Sequence, residues 1–205
     1  MIDYSRCWVG MLLKMLKQGF EGGTVTHGQP QIRRLWKGMV IFMEIERKFT
    51  VKSLPEQLSQ YSFHHIEQAY LNTDPVVRIR KQDEEYYLTY KGKGLMAREE
   101  YNLPLNKDSY YHLREKADGN IIAKKRYLIP IEHPTFTSDF QFSIDQISLT
   151  IELDIFDAPF ENLVIAEVEF PNEEMAAAFC PVDWFLKDVT TDPAYHNSNL
   201  SRKKI

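Results

Sequence analysis

Residues 43–51, Met43-Glu-Ile-Glu-Arg-Lys-Phe-Thr-Val51, alternate between charged and apolar side chains. Side chains two residues apart lie on the same face of a β-strand, so this period of two predicts a strand. One face of that strand is charged and carries Glu44, Glu46 and Lys48. The other face is apolar, except that Arg47 interrupts it. A strand with one fully charged face is unusual, and the fold can be worked out from it.

The same period recurs along the following chain. Turn signals rich in Gly, Pro, Asn and Asp separate further strand candidates, which are His65–Asn72, Val76–Gln82, Tyr86–Lys91, Ala97–Leu103, Ile121–Ile131, Phe136–Asp145, Leu149–Phe156 and Leu163–Phe170. Helices are predicted over Asn106–Lys116 and Glu173–Phe179, and a short one begins near Asp192 as N-cap and Pro193. Because the strands follow one another without regular intervening helices, we expect an α+β protein with a mainly antiparallel sheet.

The charges on these strands are sorted by sign. Pairs of one sign lie two residues apart at Arg78 and Arg80, Lys124 and Arg126, Glu152 and Asp154, and Glu167 and Glu169. A charged stripe is most often a solvated outer face, and this interpretation stays open. However, a surface that serves only solubility usually interleaves the two signs.

A second interpretation places the stripes inside the sheet. If the sheet curls into a barrel, the stripes meet in its interior, where unpaired charges are costly unless a ligand neutralises them. Arginine and lysine suit phosphate oxygens, and carboxylates suit hard divalent cations such as Mg²⁺ and Mn²⁺. The pattern therefore predicts a polyanionic phosphate compound bound together with a divalent metal.

Composition excludes several other classes of protein. The 205 residues are 43% apolar and 26% charged, as in ordinary soluble domains, and no apolar run is long enough for a transmembrane helix. A net charge of −4 argues against a nucleic-acid binder. Two cysteines are too few for a disulfide scaffold, which favours the reducing cytoplasm. We therefore expect a cytoplasmic protein with no nucleic-acid or membrane partner.

The charge is unevenly divided along the chain. Residues 1–42 carry six basic and two acidic residues, and several Gly and Pro residues interrupt any periodicity there. Residues 43–205 carry 19 basic and 27 acidic residues. We expect residues 1–42 to be an N-terminal extension that is disordered or precedes a true start at Met43, and residues 43–205 to be the functional domain.

The ordered motifs resemble the CYTH superfamily, also called triphosphate tunnel metalloenzymes, and within it the short bacterial tripolyphosphatase-like branch. The E-x-E-x-K opening is followed in order by Gln68–Leu71, Arg78–Arg80, Lys91–Lys93, Arg98–Glu100, Lys124–Tyr127, Glu152–Asp154 and Ala166–Glu169. The resemblance extends from Met43 to about Leu200. It implies an eight-stranded antiparallel β-barrel, the tunnel, with a few peripheral helices, and it is compatible with a homodimer.

The resemblance also implies residue roles. Basic residues would hold the phosphates, and these are Lys48, Arg78, Arg80, Lys91, Lys124 and Arg126. Acidic residues would bind one or two ions of Mg²⁺ or Mn²⁺, and these are Glu44, Glu46, Glu100, Glu152, Asp154, Glu167 and Glu169. The catalytic candidates are Tyr70 and Lys124, which match positions that orient or deprotonate the attacking water. Asn102 departs from the family pattern, since a second glutamate is common there.

The implied reaction is hydrolysis of a triphosphate, with inorganic tripolyphosphate as first choice of substrate. Thiamine triphosphatase activity is the same chemistry with an organic tail. Class IV adenylate cyclase activity is an alternative that would need a purine pocket, for which the sequence carries no signal. A non-enzymatic module that binds polyphosphate or nucleotide is the remaining alternative.

Overall fold

The structure is a computed structural model that describes residues 31–36, 39–93, 97–138 and 148–205. For residues 31–36, 39–43, 97 and 98 it describes the backbone alone. The strands in these ranges are β1 (Gln31–Trp36), β2 (Met39–Val51), β3 (Phe63–Thr73), β4 (Val76–Gln82), β5 (Glu85–Lys91), β6 (Ala97–Pro104), β7 (Asp118–Ile131), β8 (Leu149–Phe156), β9 (Val164–Glu169) and β10 (Phe185–Asp188). The helices are α1 (Lys107–Arg114), α2 (Glu173–Ala178) and α3 (Asn197–Leu200), with 3₁₀ turns at Leu58–Gln60 and Pro193–Tyr195.

All the strands belong to one antiparallel sheet. The order is β1-β2-β6-β5-β4-β3-β7-β8-β9, and β10 pairs with β2. Strand β2 pairs with β6 over Phe42–Ile45 and also with β9, the last strand of this order, over Glu46–Thr50. The predicted mainly antiparallel sheet with few helices is confirmed.

The apolar faces of the strands are covered by helices and loops. A large cluster joins Ile45 and Phe49 of β2 to Leu153 of β8, and α2 contributes Met175 and Ala176 to it. A smaller cluster places Ala69 and Ile79 beneath α1. Because the apolar faces are covered in this way, the charged side chains that alternate with them point to the opposite face of the sheet.

The helices begin where the sequence predicts. Asn106 accepts a hydrogen bond from Ser109 N at 2.7 Å and caps α1, and Asn172 accepts one from Met175 N at 2.7 Å and caps α2. Asp192 accepts from Ala194 N at 3.0 Å, but the turn it caps is a single 3₁₀ turn before α3. None of the helices in the described ranges is long and apolar enough to cross a membrane.

Three expectations fall on segments that the structure describes only in part. The strand expected over Phe136–Asp145 is reduced at its start to an isolated bridge between Phe136 and Phe179, and residues 139–147 lie outside the described residues. Strand β2 begins at Met39, four residues before the expected domain boundary, and β1 precedes it. Residues 1–30 lie outside the described residues, so the expected disorder of the extension stays a prediction.

Candidate functional site

The charged faces of the strands line a cavity of about 320 Å³. Twelve of the fourteen residues predicted for the site line it, namely Glu44, Glu46, Lys48, Tyr70, Arg78, Arg80, Lys91, Glu100, Arg126, Glu152, Glu167 and Glu169. The charged stripes therefore meet inside the molecule rather than on a solvated outer face. The two remaining predicted residues, Lys124 and Asp154, are buried and do not belong to the lining.

Strand register brings the two signs together. Lys48 is the register partner of Glu167 across β2 and β9, and Glu167 is in turn the partner of Glu152 across β9 and β8. Lys91 of β5 is the partner of Glu100 of β6. Because cross-strand partners on one face lie close together, the register places Lys48 and Lys91 each beside a glutamate, whereas Glu152 and Glu167 are neighbours of the same sign.

Both lysines in the wall bridge two carboxylates. Lys91 Nζ lies 2.6 Å from Glu44 Oε1 and 2.6 Å from Glu100 Oε2. Lys48 Nζ lies 2.9 Å from Glu46 Oε1 and also binds Glu167. Although burial opposes ionisation, Lys91 and Arg78 lower the pKa of Glu100. The neighbouring cations thus favour the ionised form of Glu100.

Arg126 binds three carboxylates. Its Nε and Nη2 lie 2.6 Å from the two oxygens of Asp154, its Nη2 lies 2.5 Å from Glu167 Oε2, and its Nη1 binds Glu152. Although burial opposes ionisation, Lys48, Arg126 and Lys124 lower the pKa of Glu167 well below its ordinary value. A planar guanidinium can satisfy several acceptors at once, so Arg126 organises this side of the cavity.

Lys124 lies deeper in the interior than the other predicted bases. Its side chain is 1% exposed, its Nζ binds Asp154, and it also lies 5.2 Å from the centre of the Phe156 ring. Burial and the charge of Arg126 lower the pKa of Lys124 to about 8, against the opposing effect of Asp154. A lysine with such a pKa can exchange a proton near neutral pH, but here Lys124 is bound to Asp154 and does not line the cavity.

Arg78 and Arg80 differ from the other bases in their partners. Both donate to the Gln68 side chain, through Arg78 Nη1 at 3.4 Å and Arg80 Nη2 at 3.3 Å. The Nε atoms of both arginines are buried and lack a hydrogen-bond partner among the described residues. Buried donors without partners are costly, so this part of the wall is suited to an anionic ligand.

The donor set around the cavity fits a hard divalent cation. Burial, together with the neighbouring carboxylates Glu152, Glu44 and Glu46, raises the pKa of Glu169 to about 8. Crowded carboxylates of this kind are the oxygen ligands that Mg²⁺ and Mn²⁺ prefer. Within the described ranges no three acidic, histidine or cysteine side chains already converge on one point. Five of the carboxylates that would hold a cation are each paired with a lysine or an arginine, namely Glu44, Glu46, Glu100, Glu152 and Glu167.

The alternation of charges in the sequence did not assign a role to Asn102, Val76 or residues 196–198, which also line the cavity. Asn102 lines the cavity, donates to Glu100 Oε1 at 2.9 Å and accepts from Thr89 Oγ1 at 2.6 Å. Val76 also lines it, as does the segment His196–Ser198 at the start of α3. Neutral residues carry no charge pattern, and only the resemblance of the closing segment could have pointed to residues 196–198.

Comparison with known proteins agrees with this geometry. The CYTH domain family matches residues 43–171. An inorganic triphosphatase of Nitrosomonas europaea is 33% identical over 161 residues, which cover 77% of this chain and 96% of that protein. An inorganic triphosphatase of Acetivibrio thermocellus is 35% identical over 161 residues, covering 77% of this chain and 92% of that protein. A crystal structure of the inorganic triphosphatase NE1496 superposes with a TM-score of 0.54 at 30% identity, covering 78% of this chain and 95% of that one.

Proposed function

The chain belongs to the CYTH domain family, and on this premise we propose that it is a triphosphatase that hydrolyses inorganic tripolyphosphate to phosphate and diphosphate. The names of its relatives, both inorganic triphosphatases, support this substrate. Enzymes of this family depend on a divalent metal, and for this chain we propose Mg²⁺ or Mn²⁺. Hydrolysis needs the phosphate chain held, its charge neutralised and one water directed at a terminal phosphorus.

The observation that carries this proposal is the coexistence of five basic and six acidic side chains around one cavity of about 320 Å³. Bases alone would suit any anion, and acids alone would suit any cation. Both together suit an anion that arrives with a metal, and a linear phosphate chain is the anion whose oxygens match several arginines and lysines at once.

We further infer that the eight strands from β2 to β9 form the closed barrel implied by the family resemblance. The pairing of β2 with both β6 and β9 supports this inference. A closed barrel would hold the charged side chains in fixed positions and shield them from water. Both effects strengthen electrostatic binding of the transition state.

Each group of residues has a proposed task. Arg78, Arg80 and Arg126, with Lys48 and Lys91, hold the phosphate oxygens. The carboxylates of Glu44, Glu46, Glu100, Glu152, Glu167 and Glu169 hold the metal, with Asp154 behind them. When bound, the metal supplies Lewis-acid stabilisation of the developing negative charge. When Lys48 and Lys91 move to the phosphate chain, they release the carboxylates that they bind in the structure. These carboxylates would then hold the metal ion.

Lys124 and Tyr70 remain the proposed catalytic residues. The lowered pKa of Lys124, about 8, supports a role in accepting a proton from water. Tyr70 lines the cavity, and its hydroxyl oxygen lies 3.3 Å from Gln68 Nε2. For Lys124 to act, its Nζ must leave Asp154 when substrate and metal rearrange the wall.

Phosphate release from tripolyphosphate with Mg²⁺ or Mn²⁺ tests the proposal. We expect activity in the wild-type protein and a loss of at least a hundredfold in Arg80→Ala. Lys81→Ala is the matched control, because Lys81 follows Arg80 on β4 and does not belong to the cavity lining. Equal activity of Arg80→Ala and the wild type would refute the assignment of this cavity.

The same assay separates the alternative functions. If the protein hydrolyses thiamine triphosphate faster than tripolyphosphate, it is assigned as a thiamine triphosphatase. If it forms cyclic AMP from ATP, it is assigned as a class IV adenylate cyclase. Tight tripolyphosphate binding without phosphate release would indicate a binding module.

A further inference from the structure

Gln68 is a fully buried polar residue at the centre of the proposed phosphate site. It lies on β3, its exposed fraction is 0%, and it does not belong to the cavity lining. Its register partner on the neighbouring strand β4 is Arg80. Two residues further along the same face of β3 is Tyr70, and its register partner on β4 is Arg78. Gln68 therefore lies behind three residues that do line the cavity.

The hydrogen bonds of Gln68 determine the orientation of its amide group. The guanidinium groups of Arg78 and Arg80 can only donate, so the atom that contacts them must be the carbonyl oxygen Oε1. The amide nitrogen then faces Tyr70 and donates to its hydroxyl oxygen at 3.3 Å. A buried amide needs partners on both ends, and this arrangement supplies them.

This orientation has a consequence for Tyr70. Its oxygen accepts the hydrogen bond from Gln68, and within the described residues its own O–H donates to no protein acceptor. The proton of Tyr70 is therefore available to an acceptor in the cavity, such as a phosphate oxygen or the attacking water. Tyr70 is arranged to donate rather than to remove a proton.

We infer that Gln68 is a positioning residue for the triphosphatase reaction: its carboxamide holds Arg78 and Arg80 toward the phosphate chain and directs the Tyr70 hydroxyl to donate into the cavity. This inference rests on the proposed function. A glutamine suits the task because it accepts from the arginines without neutralising them. A carboxylate at the same place would form ion pairs with both arginines. It would also accept a hydrogen bond from the Tyr70 hydroxyl, which would turn that hydroxyl away from the cavity.

The test compares Gln68→Glu with Gln60→Glu, which introduces the same charge at an exposed position. Binding is measured by calorimetry with a methylene-bridged, non-hydrolysable tripolyphosphate analogue, and kcat and KM are measured with tripolyphosphate. We expect Gln68→Glu to weaken analogue binding and raise KM at least tenfold, because hydrogen bonds to charged groups are worth about that factor or more. Gln60→Glu should match the wild type.

A double-mutant cycle tests the direction of the Tyr70 hydrogen bond. Tyr70→Phe should lower kcat at least tenfold in the wild-type background and change it less than twofold in the Gln68→Glu background, where the hydroxyl proton is already turned away. An equal loss in both backgrounds would overturn this part of the inference. Should Gln68→Glu fold poorly, Gln68→Met preserves the shape without the acceptor for Arg78 and Arg80, and it should also weaken analogue binding and raise KM at least tenfold. Wild-type binding and turnover in Gln68→Met would overturn the inference.

The outcomes also separate this inference from the proposed function. A wild-type protein that hydrolyses tripolyphosphate, together with a Gln68→Glu variant that binds the analogue and turns over as the wild type does, overturns the role of Gln68 alone. A wild-type protein that neither binds the analogue nor hydrolyses tripolyphosphate overturns the proposed function and this inference together.

Discussion

At the scale of single residues, Arg47 explains the break in the apolar face of β2. It shares that face with Ile45 and Phe49, but its guanidinium reaches beyond the apolar cluster. It donates to the carbonyl oxygens of Ala176 at 2.8 Å and Phe179 at 3.0 Å, at the end of α2, and binds Asp188 Oδ2 at 2.6 Å. The last carbonyls of a helix lack intrahelical partners, so Arg47 satisfies them and attaches α2 to the sheet.

Replacing Arg47 by methionine should lower stability without altering the chemistry of the cavity. Met retains the apolar stem but leaves two carbonyls and Asp188 without their donor, so we expect the free energy of unfolding to fall by about 2–3 kcal/mol. Urea unfolding measures this. Lys52→Met is the control, because Lys52 donates from an exposed position to Asp183 O, and a loss of less than about 0.5 kcal/mol is expected there. Similar losses in both variants would contradict the role of Arg47.

Asp188 should contribute a pH-dependent part of stability. Partial burial raises the pKa of Asp188, but hydrogen bonds from the Thr190 hydroxyl and backbone N–H and from Arg47 outweigh this effect. The pKa of Asp188 is therefore lowered. Its stabilisation is therefore complete above the unfolded pKa of about 3.9 and is lost as the pH falls through the lower folded pKa. We expect Asp188→Asn to cost about 1 kcal/mol at pH 7, a figure reduced for solvent screening, and less as the pH falls through the folded pKa. A cost that is unchanged across urea unfolding at pH 7, 4 and 2 would exclude this ionic contribution.

At the scale of elements, alternation predicted which face a residue occupies but not how deep it lies. Lys124 and Arg126 share a face of β7, yet Arg126 lines the cavity and Lys124 is buried below it against Asp154. Two residues along a strand amount to about 7 Å, which is enough to separate a cavity wall from the packed interior. The alternation of side chains shows which face of the strand a residue is on, but not where along the strand the cavity ends.

The elements that the sequence did not predict are those without a periodic signal. Strand β10 has only four residues, and β1 lies in a segment interrupted by Gly and Pro, so neither shows a clear alternation. Gln68 was noted as part of a motif but received no role, since a neutral side chain has no charge pattern. Its importance depends on the cross-strand register with Arg80, which only the structure supplies.

Gly119 should be required for docking of the C-terminal helix. It begins β7 with a φ of +76°, and a Cβ there would lie 2.2 Å from the carbonyl oxygen of Ser201, just after α3. Gly119→Ala should therefore lower the free energy of unfolding by at least about 1–2 kcal/mol and reduce phosphate release, because α3 carries part of the cavity lining.

Gly92→Ala is the matched control for this substitution. A Cβ at Gly92 would meet its nearest atom at 3.5 Å, an ordinary contact, so we expect little change in stability. Thermal unfolding of both variants measures the difference. Equal stability of the two would show that α3 tolerates displacement from β7.

At the scale of the whole molecule, the net charge of −4 conceals an almost balanced interior. Six carboxylates and five bases line the cavity, and most of the bases are bound to carboxylates. On the proposed assignment of this cavity, a metal ion alone would have to displace lysine from glutamate, and a triphosphate alone would have to displace glutamate from lysine. When both enter together, each would occupy the groups that the other releases. The proposed site would therefore couple metal binding to substrate binding, and such coupling is reciprocal.

Thermal unfolding of the intact chain should reveal this coupling. We expect Mg²⁺ alone and the non-hydrolysable tripolyphosphate analogue alone each to raise the melting temperature by a small amount, and the two together to raise it by clearly more than the sum. A ligand stabilises the folded state according to its concentration relative to its dissociation constant, so a tenfold gain in affinity from the partner ligand adds about 1.4 kcal/mol at saturating concentration. Lys91→Met should weaken the coupling, because Glu44 and Glu100 then no longer have to release a lysine before they bind the metal. Strictly additive shifts in the wild-type protein would mean that the ion pairs of the wall do not oppose binding of either ligand alone.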